Sequence, residues 1–134
     1  ERRIAAMTAL ADLCDSLGGG RKVVMGDFND IPSSMQFDMV SDILVNKAGP
    51  LASDGLGSLR YKGKWELIDM FMVDDSIDSF SQMEIVNIPF LMTYDRTYPG
   101  LKPLRTFSGP KYIGGVSDHC PIILKILLPL RDFR

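Results

Sequence analysis

Lys22-Val23-Val24-Met25-Gly26-Asp27-Phe28-Asn29-Asp30 is the stretch around which the chain is organised. Its short apolar run predicts a buried strand, and Gly26 offers the backbone a turn at the strand's end. The turn would deliver a carboxylate, Asp27, and a carboxamide, Asn29, to one small target. Glycine, aspartate and asparagine are also ordinary turn formers, so the stretch alone supports either a plain turn or a site. A choice between them needs the rest of the chain.

Upstream, Ile4, Met7, Leu10, Ala11, Cys14 and Leu17 recur at helical spacing, with Arg2, Arg3, Asp12 and Asp15 on the other side. Gly18-Gly19-Gly20 ends that helix, because glycine takes the left-handed conformation of a C-cap without steric cost. Downstream, Ile31-Pro32-Ser33-Ser34 resembles a helix start, with Met35, Met39, Val40, Ile43 and Leu44 expected on the buried face. Residues 46–63, rich in Gly, Ser, Lys and Asp, read as a long loop. Residues 65–73 read as a strand with apolar side chains on both faces, the pattern of a strand inside a covered sheet. Asp69 lies within it, where an unpaired charge is costly. Asp74-Asp75-Ser76 predicts a turn, residues 81–88 another strand, and Ile122 to Leu128 a closing one. Helix, strand and helix in close succession indicate an α/β fold.

The chain has 134 residues, 46% hydrophobic and 24% charged, enough for one domain with a real core. A net charge of −2 supplies no global attraction for nucleic acid, although a local basic patch would serve. Two cysteines, Cys14 and Cys120, are too few for a disulfide framework, and no apolar run is long enough to span a bilayer as a helix. The opening Glu1-Arg2-Arg3, already in helical pattern, suggests a piece of a longer protein. Residues 93–115 interleave Arg96, Lys102, Arg105 and Lys111 with Tyr94, Tyr98, Phe107 and Tyr112 in an irregular pattern. They read either as a basic, aromatic binding loop or as a surface loop anchored by its rings.

His119, the sole histidine, follows Asp118 directly in Ser117-Asp118-His119-Cys120-Pro121. A lone histidine is commonly structural, but imidazole can also donate to a phosphoryl oxygen when a carboxylate fixes its tautomer. Asp69 is the candidate for that carboxylate; alternatively it pairs with an arginine or a backbone turn. Asp27 can act as general base toward water, and the Asn29 amide can stabilise developing negative charge. Asp118 offers the hard oxygen that magnesium or manganese accepts. Zinc spacing, phosphate-cradling glycine motifs and G-x-S-x-G are all missing.

Gly26-Asp27-Phe28-Asn29, then Trp65-Glu66-Leu67-Ile68-Asp69, then Ser117-Asp118-His119, in that order, resemble the endonuclease/exonuclease/phosphatase superfamily of deoxyribonuclease I-like and exonuclease III-like proteins. The resemblance implies a four-layer α/β sandwich of mixed sheets with flanking helices, and metal-assisted hydrolysis of a phosphate ester. It implies that Asp27 orients or deprotonates water, Asn29 contacts the scissile phosphate, Asp69 holds His119, and His119 binds the phosphate and stabilises its developing charge. Asp118 would support a Mg2+ or Mn2+ site, the ion acting as a Lewis acid. The family's first-half motifs, an Asn, a metal-binding Glu and usually a second His, do not precede Asp27, and Glu66 is no substitute for that Glu. Residues 1–134 therefore resemble the C-terminal part of a single domain whose N-terminal part is absent from this chain. Two expectations follow: the fragment alone is a poor catalyst, and the missing half or a homodimer partner covers its open sheet face. The substrate would be nucleic acid, an inositol phosphate or a phospholipid headgroup. The alternative from another class is a non-catalytic interaction module or dimerising scaffold of the same fold.

Overall fold

Val23, Val24 and Met25 do form a strand where the quoted stretch predicts one, but it lies at the side of a three-stranded sheet with Val23 and Met25 exposed, so the expected burial is not found. A computed structural model describes residues 1–127. Helix α1 (Arg2–Ser16) leads into β1 (Val23–Asp27), a 3₁₀ helix (Met35–Val40), β2 (Leu44–Asn46) and the short α2 (Gly49–Ser53). The hairpin of β3 (Leu59–Tyr61) and β4 (Lys64–Glu66) precedes β5 (Asp69–Asp74), α3 (Asp75–Asp78) and β6 (Ser81–Ile85). A 3₁₀ turn at Pro89–Leu91 then opens two further hairpins, β7 (Met92–Asp95) with β8 (Gly100–Pro103), and β9 (Phe107–Ser108) with β10 (Lys111–Tyr112). Strand β11 (Ile122–Ile126) closes the described part, with Leu128 of the expected strand outside it.

The order β1-β5-β2 makes β5 the central strand. Met70, Phe71, Met72 and Val73 are all buried, so both faces of β5 are covered as its sequence pattern requires. One core cluster joins Met7 and Cys14 of α1, Phe37 and Val40 of the 3₁₀ helix, Leu44 of β2, and Met83 of β6 to this strand. Helices and the β6–β11 sheet thus pack on the β1-β5-β2 sheet, an α/β layered arrangement. Every strand pair among the described residues is antiparallel, so the mixed sheet that the resemblance implies is not seen within them.

Several local expectations need correction. Gly26 lies inside β1 opposite Met70, and the chain turns only after Asp27, where Asn29 takes φ 54°. Ser34 starts a 3₁₀ helix of six residues rather than an α-helix. Three residues per turn change which side chains face inward, so Phe37 and Val40 are buried while Met35 and Met39 are exposed. Ile4 of α1 and Leu17 at its C-cap are likewise exposed, and Met7 and Cys14 carry the helix's buried face. Residues 46–63 hold α2 and β3, and residues 65–73 are two strands broken at Leu67 and Ile68. Residues 93–115 are mostly hairpins rather than irregular loop. Their turns are held by Asp95, which accepts the N–H groups of Thr97 and Tyr98, and by an edge-to-face pair of Phe107 and Tyr112 at 5.4 Å.

Candidate active site

The antiparallel register of β1 and β5 sets Val23 against Val73 and, at the far end, Asp27 against Asp69. The last residue of one strand and the first of the next therefore bring two carboxylates to the same edge. Pairing continues one step further, where the Phe28 N–H donates to the Ile68 carbonyl at 2.9 Å. The chain then folds back on Asp27 itself, whose Oδ1 accepts the Asn29 N–H at 2.8 Å. Asparagine tolerates the left-handed backbone this requires, because its short polar side chain suits that conformation. Phe28, between the two polar residues, turns inward and packs edge-to-face on Phe37 at 5.6 Å. Its aromatic anchor fixes the turn and leaves Asp27 and Asn29 exposed.

The histidine arrives from the other side. His119 forms an isolated antiparallel bridge with Leu59, the Ser117 hydroxyl accepts its N–H at 3.0 Å, and the next N–H, from Cys120, donates to the Ser58 carbonyl at 2.7 Å. These contacts place the ring beside β5, with Nδ1 2.7 Å from Asp69 Oδ2. A carboxylate at that distance needs the proton between the two atoms, so Nδ1 donates and Nε2 is left as the ring's acceptor. Asp69 and His119 are partly buried, with 16% and 24% side-chain exposure, which strengthens the pair relative to a fully solvated one. Asp27, Asp69 and His119 together present ligand-type atoms all within 4.8 Å of one another.

Asp118 does not join that group. Its carboxylate turns away to Arg105, 3.2 Å from the guanidinium, in a pair half exposed on both sides. Glu66 lines a separate groove of about 580 Å³ with Ile31, Pro32, Ser33 and Trp65. None of Asp27, Asn29, Asp69 or His119 lines that groove, although its walls Ile31 and Leu67 stand two places from Asn29 and Asp69. Cys120, next to the histidine, is buried against Met92, and its thiol is pushed up from the usual range by burial first and by the nearby Asp69 charge second. A thiol so disfavoured as thiolate packs rather than reacts.

Sequence reasoning missed two neighbours of the site. Ser58 is fully buried, with its hydroxyl 2.5 Å from Asp69 Oδ2. It lies in a Gly- and Ser-rich stretch where one more serine carries no signal. Arg105 was visible only as one of several interleaved cations; its pairing with Asp118 depends on the β8–β9 connection returning to the histidine loop. Chemically, the assembled part offers an exposed carboxylate, an exposed carboxamide and a carboxylate-held imidazole on one small surface. Such a set can activate water and supply a proton or hydrogen bond to an oxyanion. A hard divalent cation fits the carboxylate oxygens, since magnesium takes one or two of them and completes its octahedron with water and phosphate. The imidazole Nδ1, already donating to Asp69, is not among the available donors.

The family model described as "Endonuclease/Exonuclease/phosphatase family" matches residues 1–127. Among solved structures, an endonuclease/exonuclease/phosphatase family protein from Bacteroides thetaiotaomicron is similar with a TM-score of 0.60 and 14% identity, over 96% of this chain and 46% of that one. A mannosyl-6-phosphatase from the same organism is similar with a TM-score of 0.53 and 15% identity, over 94% of this chain and 46% of that one. At these identities the likeness is one of fold, and the chain spans about half the length of each of these proteins. No curated protein matches the sequence. The order of the elements, the carboxylates paired across β1 and β5 and the match along residues 1–127 agree, and the chain belongs to the endonuclease/exonuclease/phosphatase family.

Proposed function

We propose that the protein containing this chain is a metal-dependent hydrolase of phosphate esters, a phosphatase or a phosphodiesterase of nuclease type. The observation that carries this reading is the 2.7 Å contact of His119 Nδ1 with Asp69, directly beside Asp27. Asp27 orients or deprotonates the attacking water. Asn29, held at the turn by Asp27, contacts the scissile phosphate through its carboxamide. His119 presents Nε2 to a phosphoryl oxygen and, when protonated, stabilises the charge that develops there. Asp69 keeps the ring oriented and compensates the imidazolium. Asp118 and Asp27 are the carboxylates that would support Mg2+ or Mn2+, with Asp118 released from Arg105 to do so. When bound, such an ion polarises the phosphoryl oxygen as a Lewis acid.

The substrate is a phosphate ester: nucleic acid, an inositol phosphate, a phospholipid headgroup or, following the mannosyl-6-phosphatase neighbour, a sugar phosphate. Residues 93–115 would choose among these through their cations and rings, which are carried on two hairpins. We further propose that residues 1–134 are the C-terminal part of one domain and need an N-terminal part, or a homodimer partner, to complete it. Met25 is 71% exposed on β1 and Ile123 44% exposed on β11, apolar surface that a partner layer would cover. The test is a substrate panel (abasic DNA, plain duplex, inositol phosphates, sphingomyelin, mannose 6-phosphate) on the full-length protein, with and without magnesium. Activity that His119→Ala reduces by about a hundredfold or more is expected. Equal activity of that variant sinks the assignment of the site. A full-length protein that binds partners but hydrolyses none of the panel would favour the interaction-module reading.

A further inference from the structure

Asp69 Oδ2 accepts from two donors, His119 Nδ1 at 2.7 Å and Ser58 Oγ at 2.5 Å. A carboxylate rotates readily about its last bond, since that torsion is broad and roughly two-fold. With both donors on the same oxygen, rotation breaks both bonds at once. The Asp69 backbone N–H approaches Ser58 Oγ at 3.4 Å, so the hydroxyl's lone pair faces an N–H and its own proton points to the carboxylate. Ser58 is fully buried, so water is not at hand to replace its hydroxyl.

The backbone of Ser58 holds the same two partners a second time. Its N–H donates to the Glu66 carbonyl at 3.0 Å, on the strand that runs into Asp69. Its carbonyl accepts from Cys120, and the next residue, Leu59, bridges to His119. Such close approach to β4 depends on the preceding Gly57, where a Cβ would stand 2.6 Å from the Glu66 nitrogen. Two groups 50 residues apart in sequence are thus registered against one another by one serine.

We infer that Ser58 is a positioning residue, which through its hydroxyl sets the orientation of Asp69 and, through Asp69, the tautomer of His119. Its catalytic meaning rests on the hydrolase reading above; its effect on the ring does not. The experiment uses the sole histidine as reporter. Imidazole 15N spectra of this chain, recorded above the range where histidine titrates, are compared for the wild type, Ser58→Ala, Ser58→Cys and Ser58→Thr. The expected result is an Nδ1–H tautomer in the wild type and Ser58→Thr, and a mixture with Nε2–H in Ser58→Ala and Ser58→Cys. The methyl fingerprint of the core is expected to stay the same in every folded variant. An unchanged tautomer in the folded Ala or Cys variant overturns the inference. In the full-length protein, Ser58→Ala and Ser58→Cys are expected to lower kcat by about tenfold with KM little changed, and Ser58→Thr to keep it near the wild-type value. A changed tautomer in a protein with no hydrolase activity would leave Ser58's positioning intact and remove the hydrolase reading instead.

Discussion

Asp27 and Asp69 face each other across two antiparallel strands, one carboxylate exposed and the other bound to an imidazole and a buried hydroxyl. Like charges directly opposite one another weaken a strand pair. The fold nevertheless places them there, and each is held by a different donor: the Asn29 N–H for Asp27, Ser58 and His119 for Asp69. Local stability and chemistry are opposed at this edge, as they commonly are where a site is built on strand ends.

Removing one charge separates the two effects. Asp27→Asn is expected to leave stability unchanged or raise it by about 0.5 kcal/mol, while hydrolysis by the full-length protein falls to background. Asp69→Asn is expected to lower both, because Ser58 and His119 lose a shared acceptor inside the protein. Urea unfolding and phosphate release on the same preparations check the pair. A destabilised Asp27→Asn would mean that its carboxylate is needed for the turn and not only for chemistry.

The core should respond according to burial rather than hydrophobicity. Met70 is fully buried in the central strand, and Met70→Ala is expected to cost about 2–5 kcal/mol. Met35, 82% exposed on the 3₁₀ helix, should tolerate alanine within about 0.5 kcal/mol. Denaturation midpoints compared at equal slope give the two values.

Acid should erode one particular contact. Asp30 accepts from Ser34 and Ile31 and pairs with Arg3, and its carboxyl lies below the ordinary carboxylate value, the Ser34 hydroxyl being the largest cause. A lowered folded pKa means that the contribution to stability is present above the unfolded value of 3.8 and is lost as pH falls through the folded value. Ser34→Ala should therefore be destabilised relative to the wild type near pH 7, with the gap narrowing as pH falls below the unfolded value and through the folded one. Urea midpoints across that range measure it, and a gap that widens in acid contradicts the linkage.

Thiol chemistry offers a test of the histidine loop. Cys120 is buried and its thiol is held protonated by that burial and by Asp69. Its labelling by an aromatic disulfide near pH 8 is expected to be at least about a hundredfold slower in the folded chain than in urea. Rapid labelling of Cys120 in the folded chain would show that the loop carrying His119 opens readily.

The three polar residues nearest the chemistry were legible in the sequence because each stands out against its surroundings. Asp69 interrupts an apolar strand, Asp27 follows a glycine at a strand end, and His119 has no rival. Their ordered motifs carried the family, and the central position of β5 followed from its two apolar faces. What could not be read depends on partners distant in sequence. Arg60 donates to the Tyr98 and Pro99 carbonyls, shaping a hairpin that residues 93–115 do not announce by themselves. Ser58 is unremarkable until Asp69, Glu66 and Cys120 close around it. The spacing of Met35, Met39 and Val40 fits a 3.6-residue period, and the sequence does not announce that Phe37 packs against the distant Phe28 on a tighter helix. Asp118 matches its motif, but the sequence does not reveal that Arg105 holds its carboxylate.

Among the described residues, β1 pairs with β5 alone, and so the strand that carries Asp27 is clamped along one side only. A beam fixed along one edge bends more easily than one fixed along both, whatever the quality of its single joint. Asp69 and His119 sit on the clamped side, braced by Ser58, while Asp27 rides on the compliant member. The spacing between Asp27 and the Asp69–His119 pair is therefore a mechanical variable of this fold, stiffened by whatever docks on the outer side of β1. Anything that grips that strand would shift Asp27 relative to His119 without touching either side chain.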